Sequence, residues 1–104
     1  MSVIIDLALF PVDKGQSVGP FVARAVDIVR KSGLAHQLTP MGTCIEGEWE
    51  EALRVVDACF RAMAEDSDRV YVTMKADWRR GRQGGLAGKT ASVERALAGK
   101  EGGR

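Results

Sequence analysis

The chain of 104 residues is 45% hydrophobic and 28% charged, the make-up of one ordinary globular domain. That excludes global disorder, a collagen-like repeat and a disulfide-stapled miniprotein, and no apolar run reaches the roughly 18 residues of a membrane-spanning helix. Net charge is only +1 but unevenly placed: residues 1–74 sum to −4 and residues 75–104 to +5. Charge alone is a weak signal for nucleic acid, so the basic end is expected to be a solvated segment with no nucleic-acid partner.

Cys44 and Cys59 form no CxxC pair, and with the single His36 they make no zinc set. No metal and no cofactor is expected. Two reduced thiols fit a cytoplasmic protein. The opening MSVIIDLALFPVDKG lacks a basic stretch before its apolar run, and Asp6 interrupts that run. It reads as mature chain and not as a signal peptide.

Residues 3–10 are β-branched and aliphatic and end at Pro11, a strand signature. Alternation puts Val3, Ile5, Leu7 and Leu9 on a core-facing side and Ile4, Asp6, Ala8 and Phe10 on a wetter one. Val18, Phe21, Val22, Ala25, Val26 and Val29 recur at helical steps, so a helix is expected over 18–32, with Ser17 as N-cap, Pro20 in the first turn and Gly33 as the stop. Ala35–Thr39 and Thr43–Glu46 read as a hairpin around Pro40-Met41-Gly42. Trp49, Leu53, Val56, Phe60 and Met63, widened by Ala52, Cys59 and Ala64, trace the expected core stripe of a helix over 48–65. Arg69–Trp78 alternates as a strand, a basic glycine-rich loop follows, and a short helix is expected from Lys89. The order is β-α-β-β-α-β with a small C-terminal helix, the ferredoxin-like α+β pattern. Residues 1–98 are expected to form a single domain and 99–104 a flexible tail.

Two helices on one side of a four-stranded antiparallel sheet leave the other side bare. Besides the second set from the first strand, that side should carry Ala35, Gln37, Thr39, Cys44 and Glu46 from the hairpin and Tyr71, Thr73, Lys75 and Asp77 from the last strand. The hairpin share depends on register, since a one-residue slip exchanges the faces. Such a mixture of carboxylates, hydroxyls and aromatics suits a partly enclosed polar site, or a wet interface between copies.

Catalytic constellations are weak. Glu46 and Glu48 lack the separation and partner that glycoside chemistry needs. His36 has no recognisable nucleophile and acid beside it. The segment GRQGGLAGKT, with Gly84, Gly88, Lys89 and Thr90, approaches a phosphate-loop spacing, but no parallel nucleotide-binding sheet follows, and it reads as coincidence. The aromatic-glycine run of RNA-binding sheets is absent.

The segment LTPMGTCIEGEWEEALRVV (38–56), with Phe10-Pro11, Gly33-Leu34 and RVYVTMKADWRR (69–80), resembles the small thiamine-binding proteins of the UPF0045 / DUF77 family, related to the MTH1187/YkoF-like group. The likeness spans about residues 3–97. Its most specific part is Thr39-Pro40-Met41-Gly42-Thr43 followed by Glu46-Gly47-Glu48, and Lys75, Asp77, Arg79, Arg80, Lys89, Ser92 and Val93 also match. Trp78 stands where an acidic residue is common, Gly81-Arg82 replaces an acidic-basic pair, and His36 replaces a frequent Tyr.

The resemblance implies a ferredoxin-like protomer self-associated into dimers or tetramers, binding thiamine or a hydroxymethylpyrimidine without catalysis. Ligand-binding residues are then expected at Phe10, Thr39, Met41, Gly42, Thr43, Glu46, Glu48 and Tyr71. Glu46 would meet the pyrimidine edge and offset the thiazolium charge. The Thr43 hydroxyl and the Met41-Gly42 main chain would orient the ring, and Phe10, Trp49 or Tyr71 would stack on it. A structural role stands beside each: an ion-pair partner for Glu46, β-propensity for Thr43, core packing for Trp49, backbone geometry for Gly42 and Gly47. The alternatives are an oligomeric scaffold without a ligand, and an enzyme acting on a small phosphorylated substrate through Arg79–Arg82.

Overall fold

The computed structural model describes residues 2–16, 18–81 and 84–102. Its elements are β1 (Ser2–Pro11), α1 (Gly19–Ser32), β2 (Ala35–Thr39), β3 (Gly42–Glu48), α2 (Trp49–Ala64), β4 (Val70–Trp78) and α3 (Gly85–Gly102). The sheet order is β2-β3-β1-β4, and all neighbours are antiparallel. This is the expected ferredoxin-like arrangement, with β1 and β3 in the middle.

The β1 alternation holds. Val3, Ile5, Leu7 and Leu9 form the core with Ile45, Ala25, Val29, Ala52, Cys59 and Met63. α1 begins with Pro20 in its first turn and ends at Gly33, which adopts the left-handed φ of 78°. Ser17 lies outside the described residues; the cap position is Val18, which offers no side-chain hydrogen bond.

The buried line of α2 is Ala52, Val55, Cys59 and Met63. The expected line through Trp49 and Phe60 is therefore displaced around the helix. Trp49 is 42% exposed and Phe60 41%, and both sit on a flank. The physical reason is space: Ala52 and Cys59 let α2 approach β1 and β3 closely, and the bulky rings are turned aside. On β4, Val72 and Met74 share the helix-facing side with Leu9 and Leu7, their register partners. They stay 40% and 44% exposed because β4 is the sheet's edge.

Register decides which side chains share a face. Thr43 lies opposite Leu7, and Glu46 opposite Ile4. Thr43 therefore faces the helices and Glu46 faces away from them. The resemblance places both in one ligand site, but their three-residue separation on a strand puts them on opposite sides of the sheet.

The side away from α1 and α2 is not bare. α3 opens at Gly85, ahead of Lys89, and lies against β1, β2 and β3. Its first turn docks on Glu46. The carboxylate accepts hydrogen bonds from the Gly85 N–H (2.6 Å), the Leu86 N–H (3.4 Å) and the Ser2 hydroxyl (3.0 Å). Glu46 is only 7% exposed, and Ile4 beside it 8%. A buried carboxylate is tolerated here because donors surround it and the helix N-terminus favours negative charge. Lys89 adds an ion pair to Asp77. Further along, α3 leaves the body: Val93 and Leu97 are 60% and 55% exposed. The radius of gyration is 16.0 Å, against about 13 Å for a compact chain of this length.

Replacing Glu46 with Ala leaves two N–H groups and a hydroxyl without their acceptor. The expected cost is about 1–3 kcal/mol. Amide exchange should quicken in the first turns of α3 while the β1–β3 ladder keeps its protection. Unchanged exchange in α3 would show that the carboxylate does not hold it.

Candidate functional site

The site begins with a mismatch in strand length. β1 pairs with β4 as far as Pro11, but with β3 only as far as Leu7, opposite Thr43. Past that rung the chain of the hairpin turns away at Pro40-Met41. Thr39 closes the turn: its hydroxyl donates to the Gly42 carbonyl at 3.0 Å and accepts from the Met41 N–H at 3.3 Å. Gly42 is required where the hairpin meets β1. A Cβ there would stand 2.7 Å from the Leu7 carbonyl oxygen.

This leaves a notch in the sheet beside Leu7–Phe10. A cavity of about 270 Å³ fills it, roofed by Val18, Val22, Ala25, Val26 and Val29 of the α1 region and walled by Leu38–Thr43 of the hairpin. Four successive β1 residues, Leu7, Ala8, Leu9 and Phe10, all border it. Side chains on a strand alternate, so four in a row reach one cavity only where it touches the strand's main-chain edge.

The direction of that edge follows from two contacts. The Val12 N–H donates to the Arg69 carbonyl at 2.8 Å, on the β4 side. Even-numbered positions therefore address β4. The Leu7 carbonyl lies against Gly42, so odd-numbered positions address β3. Leu9 turns its N–H and C=O the same way as Leu7, beyond the last rung, where no strand lies opposite.

Among the described residues bordering the cavity, none is charged. The wall is aliphatic except for a few polar groups. Thr39 is committed to its turn. Cys59 lies 3.6 Å from the Ala25 carbonyl, and burial pushes its thiol up to about 11, so it is protonated at neutral pH. Thr43 is 8% exposed, and its hydroxyl makes no hydrogen bond among the described residues. An unpaired buried hydroxyl is costly, and a bound partner removes that cost. The volume is near the lower bound for ligand pockets, roughly 300 Å³, which suits one small ring.

Five of the eight expected site residues border this cavity: Phe10, Thr39, Met41, Gly42 and Thr43. Three do not. Glu46 caps α3 on the opposite side. Glu48 ends β3 at the start of α2, also outside the cavity. Tyr71 stacks on Phe10, with ring centroids 5.6 Å apart and planes at 22°. That stack holds the Phe10 ring on the far side, so Phe10 offers the cavity its main chain. Trp49 does not border the cavity either.

The roof and the Leu9 edge were not among the expected site residues. The α1 line Val18, Val22, Ala25, Val26 and Val29 reads as core, but only Ala25 and Val29 are in it, and Val18, Val22 and Val26 are half-buried. The available signal was size: valines and an alanine leave room where leucines would fill it. Cys44 lies on the α3 side, 3.9 Å from Asp6, where burial and then the Asp6 charge raise its pKa. His36 rests its Nδ1 on the Leu34 carbonyl at 2.9 Å. No group of three or more metal-ligating side chains occurs among the described residues.

The family profile described as "Thiamine-binding protein" matches residues 5–94. UPF0045 protein Mb1933 of Mycobacterium bovis is 40% identical over 98 residues, covering 93% of this chain and 96% of that protein. The fold superposes on hypothetical protein MJ1052 of Methanocaldococcus jannaschii with a TM-score of 0.83 at 27% identity, covering 89% of this chain and 96% of that one. A domain of unknown function DUF77 from Bacillus cereus gives 0.70 at 26% identity, covering 78% and 79%.

Thr43→Val exchanges the unpaired hydroxyl for a methyl of the same shape. Without ligand, the variant should be as stable as the parent or up to about 1–2 kcal/mol more stable. Denaturant unfolding measures this; a loss of stability would mean that the hydroxyl already has a partner.

Proposed function

We propose, because this chain belongs to the thiamine-binding protein family (UPF0045), that the notch holds the pyrimidine of thiamine or a related hydroxymethylpyrimidine, and that the protein binds it without catalysis. The observation that carries this reading is the buried Thr43 hydroxyl, without a partner in a small and otherwise aliphatic cavity. A neutral, flat heteroaromatic ring matches those walls. The cationic thiazolium half of thiamine finds no carboxylate there and stays at the mouth. The role expected of Glu46 passes to main-chain groups and Thr43, since Glu46 is engaged with α3.

Absence of catalysis is supported by the character of the lining: an aliphatic wall, a protonated thiol and a hydroxyl with no base beside it. With no lysine or arginine among the described lining residues, a phosphate group gains nothing inside. The alternative of a phosphorylated substrate uses Arg79–Arg82; Arg79, Arg80 and Gly81 do not line the notch, and Arg82 lies outside the described residues. Two unpaired thiols support a reducing, cytoplasmic setting. No helix among the described residues is long and apolar enough to cross a membrane.

Self-association belongs to the same reading. Trp49, Phe60, Val72, Met74 and Trp78 are each 40–44% exposed and lie on α2 and the open edge strand β4. Exposed apolar side chains grouped on one flank mark an interaction surface. A second copy covering this flank makes a dimer, and further pairing a tetramer. The flank alone also suits a scaffold with no ligand, which the binding experiment separates.

Calorimetry with thiamine and with hydroxymethylpyrimidine should show saturable binding, and Thr43→Val should weaken it at least about tenfold. Thiamine diphosphate should bind no tighter than thiamine. No heat and no thermal shift with either ligand at millimolar concentration would remove this reading. For assembly, sedimentation should report a dimer or larger species at micromolar concentration, and Met74→Lys should shift it toward monomer. A parent protein that sediments as a monomer throughout would contradict the assigned interface.

A further inference from the structure

We infer that the free main-chain edge of Leu9 reads the amino side of the pyrimidine ring, so that the protein takes 4-aminopyrimidines and refuses their 4-oxo counterparts. The inference rests on the pyrimidine reading above and adds the group that sets its specificity. Three observations lead to it. β1 continues past the last β3 rung, Leu7 opposite Thr43. The Val12–Arg69 and Leu7–Gly42 contacts fix the parity of the strand and turn the Leu9 N–H and C=O into the notch. Leu9 itself is 7% exposed, so water competes weakly for its main chain.

An extended residue presents one donor and one acceptor side by side. A 4-aminopyrimidine presents the complement: an exocyclic N–H that donates to the Leu9 carbonyl, and the adjacent ring nitrogen that accepts from the Leu9 N–H. The ring thus occupies the place of the missing β3 residue, as a strand does when it adds to an open sheet edge. A 4-oxo ring reverses the pattern. Its carbonyl faces the Leu9 carbonyl, and its ring N–H faces the Leu9 N–H. Turning the ring over restores the match but interchanges its two substituents, in a cavity whose unpaired hydroxyl, Thr43, stands on one side only. Sites that hydrogen-bond a ligand in a buried setting reject analogues that leave those bonds unmade.

The test uses the uniformly ¹⁵N-labelled full chain, titrated with hydroxymethylpyrimidine and, separately, with its 4-oxo analogue. The Leu9 amide resonance should move downfield with the amino ligand, and its hydrogen exchange should slow at least tenfold. The 4-oxo analogue should bind at least tenfold more weakly. Resonances that shift around the cavity while the Leu9 amide stays unmoved would overturn this inference and leave the pyrimidine site standing. Equal affinity for the two ligands would overturn it as well. If no resonance moves with either ligand, the pyrimidine reading fails and this inference falls with it.

Discussion

The site depends on one constraint: β1 is longer than the strand that pairs with it. β1 has ten residues and β3 has seven, and the hairpin leaves β1 after Thr43. The turn is fixed by Thr39 and by Gly42, whose missing Cβ lets the hairpin touch the Leu7 carbonyl. A side chain at Gly42 would push the hairpin outward and change the notch. The motif Thr39-Pro40-Met41-Gly42-Thr43 thus acts first through backbone geometry. Of its five residues, Thr43 supplies the polar side chain directed into the cavity. The expected structural role for Gly42 is thus tied to the cavity: the close approach at Gly42 places the hairpin that walls it.

The two sides of the sheet carry different work. The side of α1 and α2 holds the core and the notch. The other side holds the charge. There Glu46, Ser2, Asp77 and Lys89 fix α3 by its first turn and an ion pair. A buried carboxylate without donors would be strongly unfavourable, so the strength of the Glu46 contacts and its burial explain each other. Glu46 is adjacent in sequence to the ligand motif but separated from the cavity by the thickness of the sheet. The family stretch that includes both Thr43 and Glu46 reaches both sides of the sheet, Thr43 bordering the cavity and Glu46 holding the helix that covers the far face.

Much of this was legible in the residues. The β1 alternation, the Pro20 start and Gly33 stop of α1, and the β-α-β-β-α-β order all follow from local chemistry, and the tertiary structure agrees with them. Gly42 and Thr43 stand out through the motif, and both border the cavity. Three features were not legible. The pairing of Thr43 with Glu46 ignored their odd spacing on a strand, which places them on opposite faces. The expected α2 stripe holds Trp49 and Phe60 beside Ala52, Cys59 and Met63, whereas the close helix–sheet approach buries the last three and turns the two rings aside. The α3 docking could not be read, because a helix with few apolar anchors gives little periodic signal and is held by a carboxylate distant in the chain. The Leu9 edge carries no side-chain signature at all; it exists only once β3 is seen to stop.

The central claim is that the gap beside β1, and not the α3 side of the sheet, receives the ring. A crystal structure of the protein with hydroxymethylpyrimidine measures this directly. The account predicts the ring lying between Leu9 and Thr43, under Val22 and Val26, with Glu46 still bound to Gly85. A ring seated beside Glu46, with α3 displaced and the notch empty, would contradict it.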